Sequence, residues 1–214
     1  MRIPNHIGII PDGNRRWAVK NGMTKEKGYN MGLKPGLELF KLCEKEGINE
    51  ITYYGFTTDN TKRPKFQRVA FTQACIDAVK MLSKENASLF IVGNTESPMF
   101  PRELIPYTIK RQTFGNGKTK INFLVNYGWQ WDLNDCFASN EKDKNMMDLI
   151  RSREVSRIDL IIRWGGRRRL SGFLPLQSVY SDLYIIDEYW PEFTPKHFYN
   201  ALEWYDKQDI TLGG

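Results

Sequence analysis

Short apolar runs of strand length alternate with segments of helical period along the chain, and this alternation restricts the fold more than any other feature. "HIGIIP" reads as a short buried strand ending at Pro11. From about Met31 to Glu46, apolar residues recur at Leu33, Leu37, Phe40 and Cys43, which is helical spacing, and Gly47 stops the helix. "EITYYGFT" is a second strand, and Pro64 to about Lys84 a helix with a broad apolar face. "SLFIVGN", "TKINFLVNYG", "IDLIIR" and "DLYIID" supply four further strands. Between them, Pro98 to Arg111 reads as irregular or a short helix, and Leu133 to Phe137 opens a helix that runs into a polar loop. "TPKHFYNALEWYDKQ" closes the chain as a helix capped by Thr194 with Pro195 in its first position. The expectation is an α/β fold, a single domain over 1–214, with a mostly parallel sheet of about six strands flanked by helices.

Sheets of this kind bind ligands at the carboxyl ends of their strands, so those ends are where the chemistry is expected. The first strand ends in "PDGNRRW". Asp12 and Gly13 suit a tight turn, Gly13 tolerates a positive φ, and Asn14, Arg15 and Arg16 open the next element. Backbone N–H groups and two forked guanidiniums suit a phosphate. Asp12 beside them makes sense as a ligand of Mg²⁺, which often bridges one carboxylate and substrate phosphates. The same residues also describe an ordinary turn with a solvated basic face. The fifth strand ends in "RWGGRRRLS", where four arginines fall within seven residues and no acid stands among them. Gly165 and Gly166 let the backbone turn closely, and Arg163, Arg169 and Ser171 all donate to an oxyanion. Such crowding of like charge near a strand mouth points to a polyanion. The loops "GFTTDNTKRP" and "NYGWQWD" carry weaker signals: Asp59 or Asn60 serves as a helix cap, and Trp129 and Trp131 suit a core or a hydrophobic wall.

Net charge supports anionic ligands without choosing among them: 31 Lys and Arg stand against 25 Asp and Glu, giving +6. Three scattered cysteines and two distant histidines leave little room for a zinc centre or a Ser-His-Asp triad. No run approaches the ~20 apolar residues of a membrane span, and the first apolar run is short for a signal peptide. A soluble, cytoplasmic protein with at most peripheral membrane contact is expected, and nucleic acid is not expected as a partner.

These motifs together resemble the cis-prenyltransferases, the family of undecaprenyl diphosphate synthase. "HIGIIPDGNRRWA", "YGFTTDNTKRP", "NYG", "DLIIRWGGRRRLSGFLPLQSVYSDLYIIDEYWPEF" and the terminal "LGG" are similar, in order, to the family's motifs. The resemblance implies a homodimer, Mg²⁺ as cofactor, and allylic and homoallylic prenyl diphosphates as substrates. It implies that Asp12 and Asn14 are catalytic and that Gly13, Asn14, Arg15, Arg16, Lys25 and Arg63 hold the allylic diphosphate. It assigns Arg163, Arg167, Arg169 and Ser171 to the acceptor diphosphate. Trp17, Tyr29 and Phe56 would line the hydrophobic pocket, and Asp12 and Asp182 would serve the metal, Asp182 across the dimer.

The chain departs from the pattern mainly at the second site. Arg167 stands where the family has Glu, Tyr29 where it has His, Thr61 where it has Trp, and Thr211 where it has Arg. The helix from Pro64 also reads about one turn, ~4 residues, shorter than in long-chain members. These departures fit a short-chain branch that resembles lavandulyl diphosphate synthase, in which two allylic diphosphates join head to middle. Regular head-to-tail elongation with isopentenyl diphosphate is the alternative. A non-catalytic subunit ranks lower, because such subunits typically lose the acid that stands here as Asp12.

Overall fold

The structure is a computed structural model that describes residues 1–138 and 145–209. Its elements follow the order β1 (His6–Ile10), α1 (Asn14–Lys20), α2 (Lys27–Met31), α3 (Leu33–Lys45), β2 (Glu50–Thr57), α4 (Lys65–Leu82), β3 (Ala87–Val92), α5 (Pro106–Ile109), β4 (Gln112–Thr113), β5 (Thr119–Tyr127), α6 (Trp129–Ala138), α7 (Met146–Leu149), β6 (Leu160–Arg163), β7 (Asp182–Ile185) and α8 (Pro195–Asp206). The strands form one sheet in the order β4-β3-β5-β2-β1-β6-β7. Every pairing is parallel except β3 with β4. Seven strands replace the six expected. The addition, β4, is two polar residues long and has no apolar run to betray it. The expected terminal tail and Thr211 lie outside the described residues, as does the loop after α6.

The alternation of the pleat explains the two cores. Ile7 and Ile9 of β1 face a large cluster with Leu39, Phe40, Phe71, Trp164 and Phe198, under α3, α4 and α8. Ile10 faces the other side, with Tyr54, Leu124, Tyr127, Ile161 and Phe173. Covering on both faces is why β1, β3 and β6 are mostly apolar and wholly buried, with His6, Ser88 and Arg163 as their polar members. Among the described residues, no helix is long and apolar enough to cross a membrane.

Helix α6 begins at Trp129, four residues before the expected start at Leu133. Asn126 takes a left-handed turn at φ 51°, and the chain enters the helix at once. Trp131 packs on the second core, whereas Trp129 is 45% exposed.

At the amino end of the strands lies a closed polar network. His6 bonds Thr52 Oγ1 through Nε2 (2.8 Å), and Asn122 Nδ2 donates to Glu50 Oε1 (2.7 Å) and Thr52 Oγ1 (2.9 Å). Ser156 Oγ donates to Glu50 Oε2 (2.8 Å), and Arg111 Nη2 to Asn122 Oδ1 (2.7 Å). Burial holds the His6 imidazole below its ordinary value, against the opposing pull of Glu50. Burial alone would raise the Glu50 carboxyl, but His6, Asn122 and Ser156 bring it below its ordinary value.

Both shifts have the same sign for stability. The unfolded chain takes up protons at His6 before the folded chain does, so stability falls as pH drops below the unfolded histidine value of 6.5. Glu50 adds to the loss below 4.5. Urea unfolding should show a midpoint that declines from about pH 7 to pH 5, with His6→Gln flattening that decline. Thr52→Val, which strands two buried partners, should cost about 1–3 kcal/mol at neutral pH.

Candidate functional site

The carboxyl ends of β1, β2 and β6 open into one chamber of about 930 Å³. The turn after β1 builds its first wall. Gly13 takes φ 103° at the start of α1, and its α-carbon is covered by the Tyr189 ring, so a side chain has no room there. Asn14, Arg15 and Arg16 follow as the first helical residues. The end of β6 builds the second wall. Gly165 (φ 83°) lies so close to the first turn that a Cβ would stand 2.5 Å from Arg16 Nη2.

Arg163 ties the two walls. It is 4% exposed, donates to Asp12 Oδ2 at 2.9 Å through Nη2, and donates to Ser171 Oγ at 3.0 Å and to the Arg169 carbonyl through Nη1. Asp12 Oδ1 also accepts from the Gly13 N–H (2.6 Å) and faces Arg16 Nη2 (3.4 Å). The Arg16 guanidinium lies over the Tyr189 ring, 5.0 Å from its centre. Arg63 Nη1 donates to the Tyr29 hydroxyl at 3.0 Å, and burial lowers the Arg63 guanidinium below its ordinary value.

The chamber brings together most of the expected set. Asp12, Gly13, Asn14, Arg15, Arg16 and Lys25 line it from the first turn onward, with Tyr29, Phe56 and Arg63. Arg163, Arg167, Arg169 and Ser171 line it from the second. Two expected residues lie elsewhere. Trp17 borders neither this chamber nor the apolar pocket beside it. At ~100° per residue, α1 turns Trp17 away from the side that carries Arg15, Arg16 and Val19. Asp182 pairs with Leu160 at the amino end of the sheet, whereas Asp12 follows the carboxyl end of β1, so one chain does not bring them together. Tyr54, Asn60, Lys20 and Tyr189 also line the chamber and were missed. Tyr189 follows β7, so the strand-end rule applied there would have found it. Tyr54 reads as core because it sits inside an apolar run.

Eight Lys and Arg side chains line the chamber against the carboxylates of Asp12 and Asp59. That excess suits more than one phosphate-bearing group. Among the described residues, no three His, Cys, Asp or Glu side chains gather as a metal cage. Asp12, with oxygens at the chamber wall, still fits Mg²⁺, which takes one or two carboxylates together with substrate phosphates.

A second, apolar pocket of about 110 Å³ adjoins the chamber, and the two share Pro11, Asn14, Tyr29, Tyr54 and Gly55. Leu33 and Leu37 of α3, Phe71, Ala74, Cys75, Ala78, Met81 and Leu82 of α4, and Phe123 of β5 wall it. Burial pushes the Cys75 thiol up to about 12, so it is an inert wall group. The combination is a cationic chamber with a greasy annex, joined at a neck.

Comparison with known proteins agrees with this geometry. A family model described as "Putative undecaprenyl diphosphate synthase" matches residues 10–213. A ditrans,polycis-undecaprenyl-diphosphate synthase ((2E,6E)-farnesyl-diphosphate specific) of Buchnera aphidicola is 34% identical, over 98% of this chain and 91% of its own. An isoprenyl transferase of Thermotoga maritima is 33% identical, over 100% of this chain and 98% of its own. Among solved structures, lavandulyl diphosphate synthase from Lavandula x intermedia in complex with dimethylallyl diphosphate shares the fold. Its TM-score is 0.83 at 20% identity, covering 99% of this chain and 98% of that one.

Gly13→Ala tests the first wall. Its Cβ would meet Tyr189 Cδ1 at 2.6 Å on a left-handed backbone. Urea unfolding should show a loss of about 1–3 kcal/mol, and inorganic diphosphate should bind more weakly by calorimetry.

Proposed function

The chain belongs to the undecaprenyl diphosphate synthase family of prenyltransferases, and from that premise we propose that it is a short-chain prenyl diphosphate synthase. Its allylic substrate would be dimethylallyl or geranyl diphosphate. The observation that carries this reading is the 110 Å³ apolar pocket at the neck of the cationic chamber. An engineered apolar cavity of ~150 Å³ takes up benzene, so this pocket matches a tail of about one isoprenoid unit. The longer farnesyl tail named for the Buchnera relative would need the wall of α4 to yield.

The residues divide the work between two diphosphates. Arg15, Arg16, Lys25 and Arg63 hold the allylic diphosphate with its tail passing the neck. As the allylic C–O bond breaks, charge grows on the departing diphosphate, and fixed guanidiniums stabilise it without reorganising. Mg²⁺, held by Asp12 and diphosphate oxygens, would supply further neutralisation of that leaving group. Asn14 Nδ2 donates to the Pro11 carbonyl (2.9 Å), which leaves its buried Oδ1 without a partner among the described residues. The Asn14 side chain borders both chamber and apolar pocket, and its unpaired oxygen would set the negative end of a dipole near the allylic cation. Arg163, Arg167, Arg169 and Ser171 hold the second diphosphate, whose double bond attacks the cation. A carbon–carbon bond forms, inorganic diphosphate leaves, and one proton is lost.

Arg167 motivates the finer reading. A guanidinium in place of the family's glutamate holds the second diphosphate directly instead of through a metal, and suits an allylic acceptor joined head to middle. The relatives' names favour a second reading, head-to-tail cis elongation with isopentenyl diphosphate. A cytoplasmic homodimer in which Asp182 reaches the partner's metal belongs to the same proposal.

Product analysis separates the two readings. With Mg²⁺ and dimethylallyl diphosphate alone, a branched diphosphate product is expected. No product from that mixture, but linear cis-polyprenyl diphosphates once isopentenyl diphosphate is added, would remove head-to-middle coupling. Arg167→Glu should weaken binding of the second diphosphate and steepen the dependence on Mg²⁺; if neither changes, the arginine does not hold it. Phe71→Ala enlarges the apolar pocket, and kcat/KM should shift from dimethylallyl toward geranyl diphosphate.

A further inference from the structure

We propose that Tyr54 is a positioning residue for the second diphosphate, acting through Ser171. The inference rests on the assignment of residues 163–171 to that diphosphate. Tyr54 is 8% exposed near the end of β2, and its hydroxyl donates to the Ser171 carbonyl at 2.9 Å. Its ring packs on Phe173, with centres 5.2 Å apart, so one side chain grips the segment on both sides of Gly172.

That grip matters because the segment is strained. Ser171 (φ 54°), Gly172 (φ 77°) and Leu174 (φ 35°) all occupy the left-handed region, and two of them are not glycine. Such a backbone persists only where its surroundings over-determine it. Gly172 is pressed against Trp129, whose Cδ1 would stand 2.7 Å from any Cβ placed there. Ser178 Oγ donates to the Phe173 carbonyl at 2.9 Å from the other side. The Tyr54 hydroxyl is the tie from β2, beside that of Arg163 from β6. Through it, β2 fixes Ser171, whose Oγ accepts from Arg163 Nη1 at 3.0 Å. The arginine that pairs with Asp12 is thus registered against β2 by a tyrosine–serine bridge.

Tyr54 also borders the neck between chamber and apolar pocket. The same side chain therefore sets where the allylic tail passes and where the second diphosphate's arginine loop sits. Burial raises the Tyr54 hydroxyl above its ordinary value, which keeps it a donor at neutral pH.

Tyr54→Phe removes the hydroxyl and keeps the ring. The probe is inorganic diphosphate, titrated calorimetrically into protein whose allylic site is filled with geranyl thiolodiphosphate, an analogue that does not ionise. Affinity for inorganic diphosphate should fall roughly three- to tenfold, the effect of one hydrogen bond. Affinity for geranyl thiolodiphosphate should stay within about twofold of wild type, and the unfolding midpoint should move little. Equal weakening of both ligands would make Tyr54 merely structural and overturn the proposal. Arg169→Ala is the reference. Weakening by Arg169→Ala with no effect of Tyr54→Phe would overturn the role of Tyr54 alone. No effect of either would overturn the assignment of the segment, and the role of Tyr54 with it.

Discussion

The arrangement of this chamber depends on one ion pair, Arg163 with Asp12, at 2.9 Å across the ends of two adjacent strands. A guanidinium this deeply buried requires a partner; breaking such a pair from one side costs about 3–5 kcal/mol. The register of β1 and β6 sets Ile10 beside Arg163, so the carboxylate two residues beyond Ile10 is where the guanidinium needs it. Gly165 then allows the chain to pass over the Asp12 backbone and reach Arg169 and Ser171. The two arginine-bearing turns are thereby fixed relative to each other. Asp12 engages Arg163 and Arg16, and the arginines farther along both turns keep their charge for ligand.

Polarity changes abruptly at the neck, and the pleat of β2 is the reason. Tyr53 and Tyr54 point to opposite faces. Tyr53 joins the core under α3, where its hydroxyl donates to the Gly36 carbonyl at 2.9 Å and its ring walls the apolar pocket. Tyr54 joins the other core and turns its hydroxyl to the arginine-bearing segment. Gly55, next in line, packs directly on β5, where a Cβ would meet the Leu124 carbonyl at 2.8 Å. A substrate with an anionic head and an apolar tail matches this boundary because each end finds the medium it would choose in bulk.

Much of this was legible in the sequence because its causes are local. Six of seven strands announce themselves by apolar runs, and "RWGGRRRLS" stands out because no acid interrupts its arginines. What escaped depends on neighbours distant in sequence. The two polar residues of β4 pair only because β3 offers an edge. Tyr54 has the composition of a core residue and becomes a site residue through Ser171, 117 positions away. Trp17 departs in the opposite way. Its motif was recognisable, but helix phase directs it away from the chamber.

The two ends of the sheet also use their polar and charged groups differently. At the amino end, His6, Thr52, Glu50, Asn122 and Ser156 bond one another, and both His6 nitrogens have partners. Buried side-chain atoms without partners among the described residues occur outside that network, among them Asn14 Oδ1, Asn126 Oδ1, Arg163 Nε and Gln177 Oε1. Native interiors rarely leave such groups unpaired, because each costs about 1–3 kcal/mol. A closed network at one end stabilises the fold and has nothing further to bind. The chamber end is built otherwise: left-handed glycine turns bring arginines to an open space with few carboxylates, so their charge stays available to an anion.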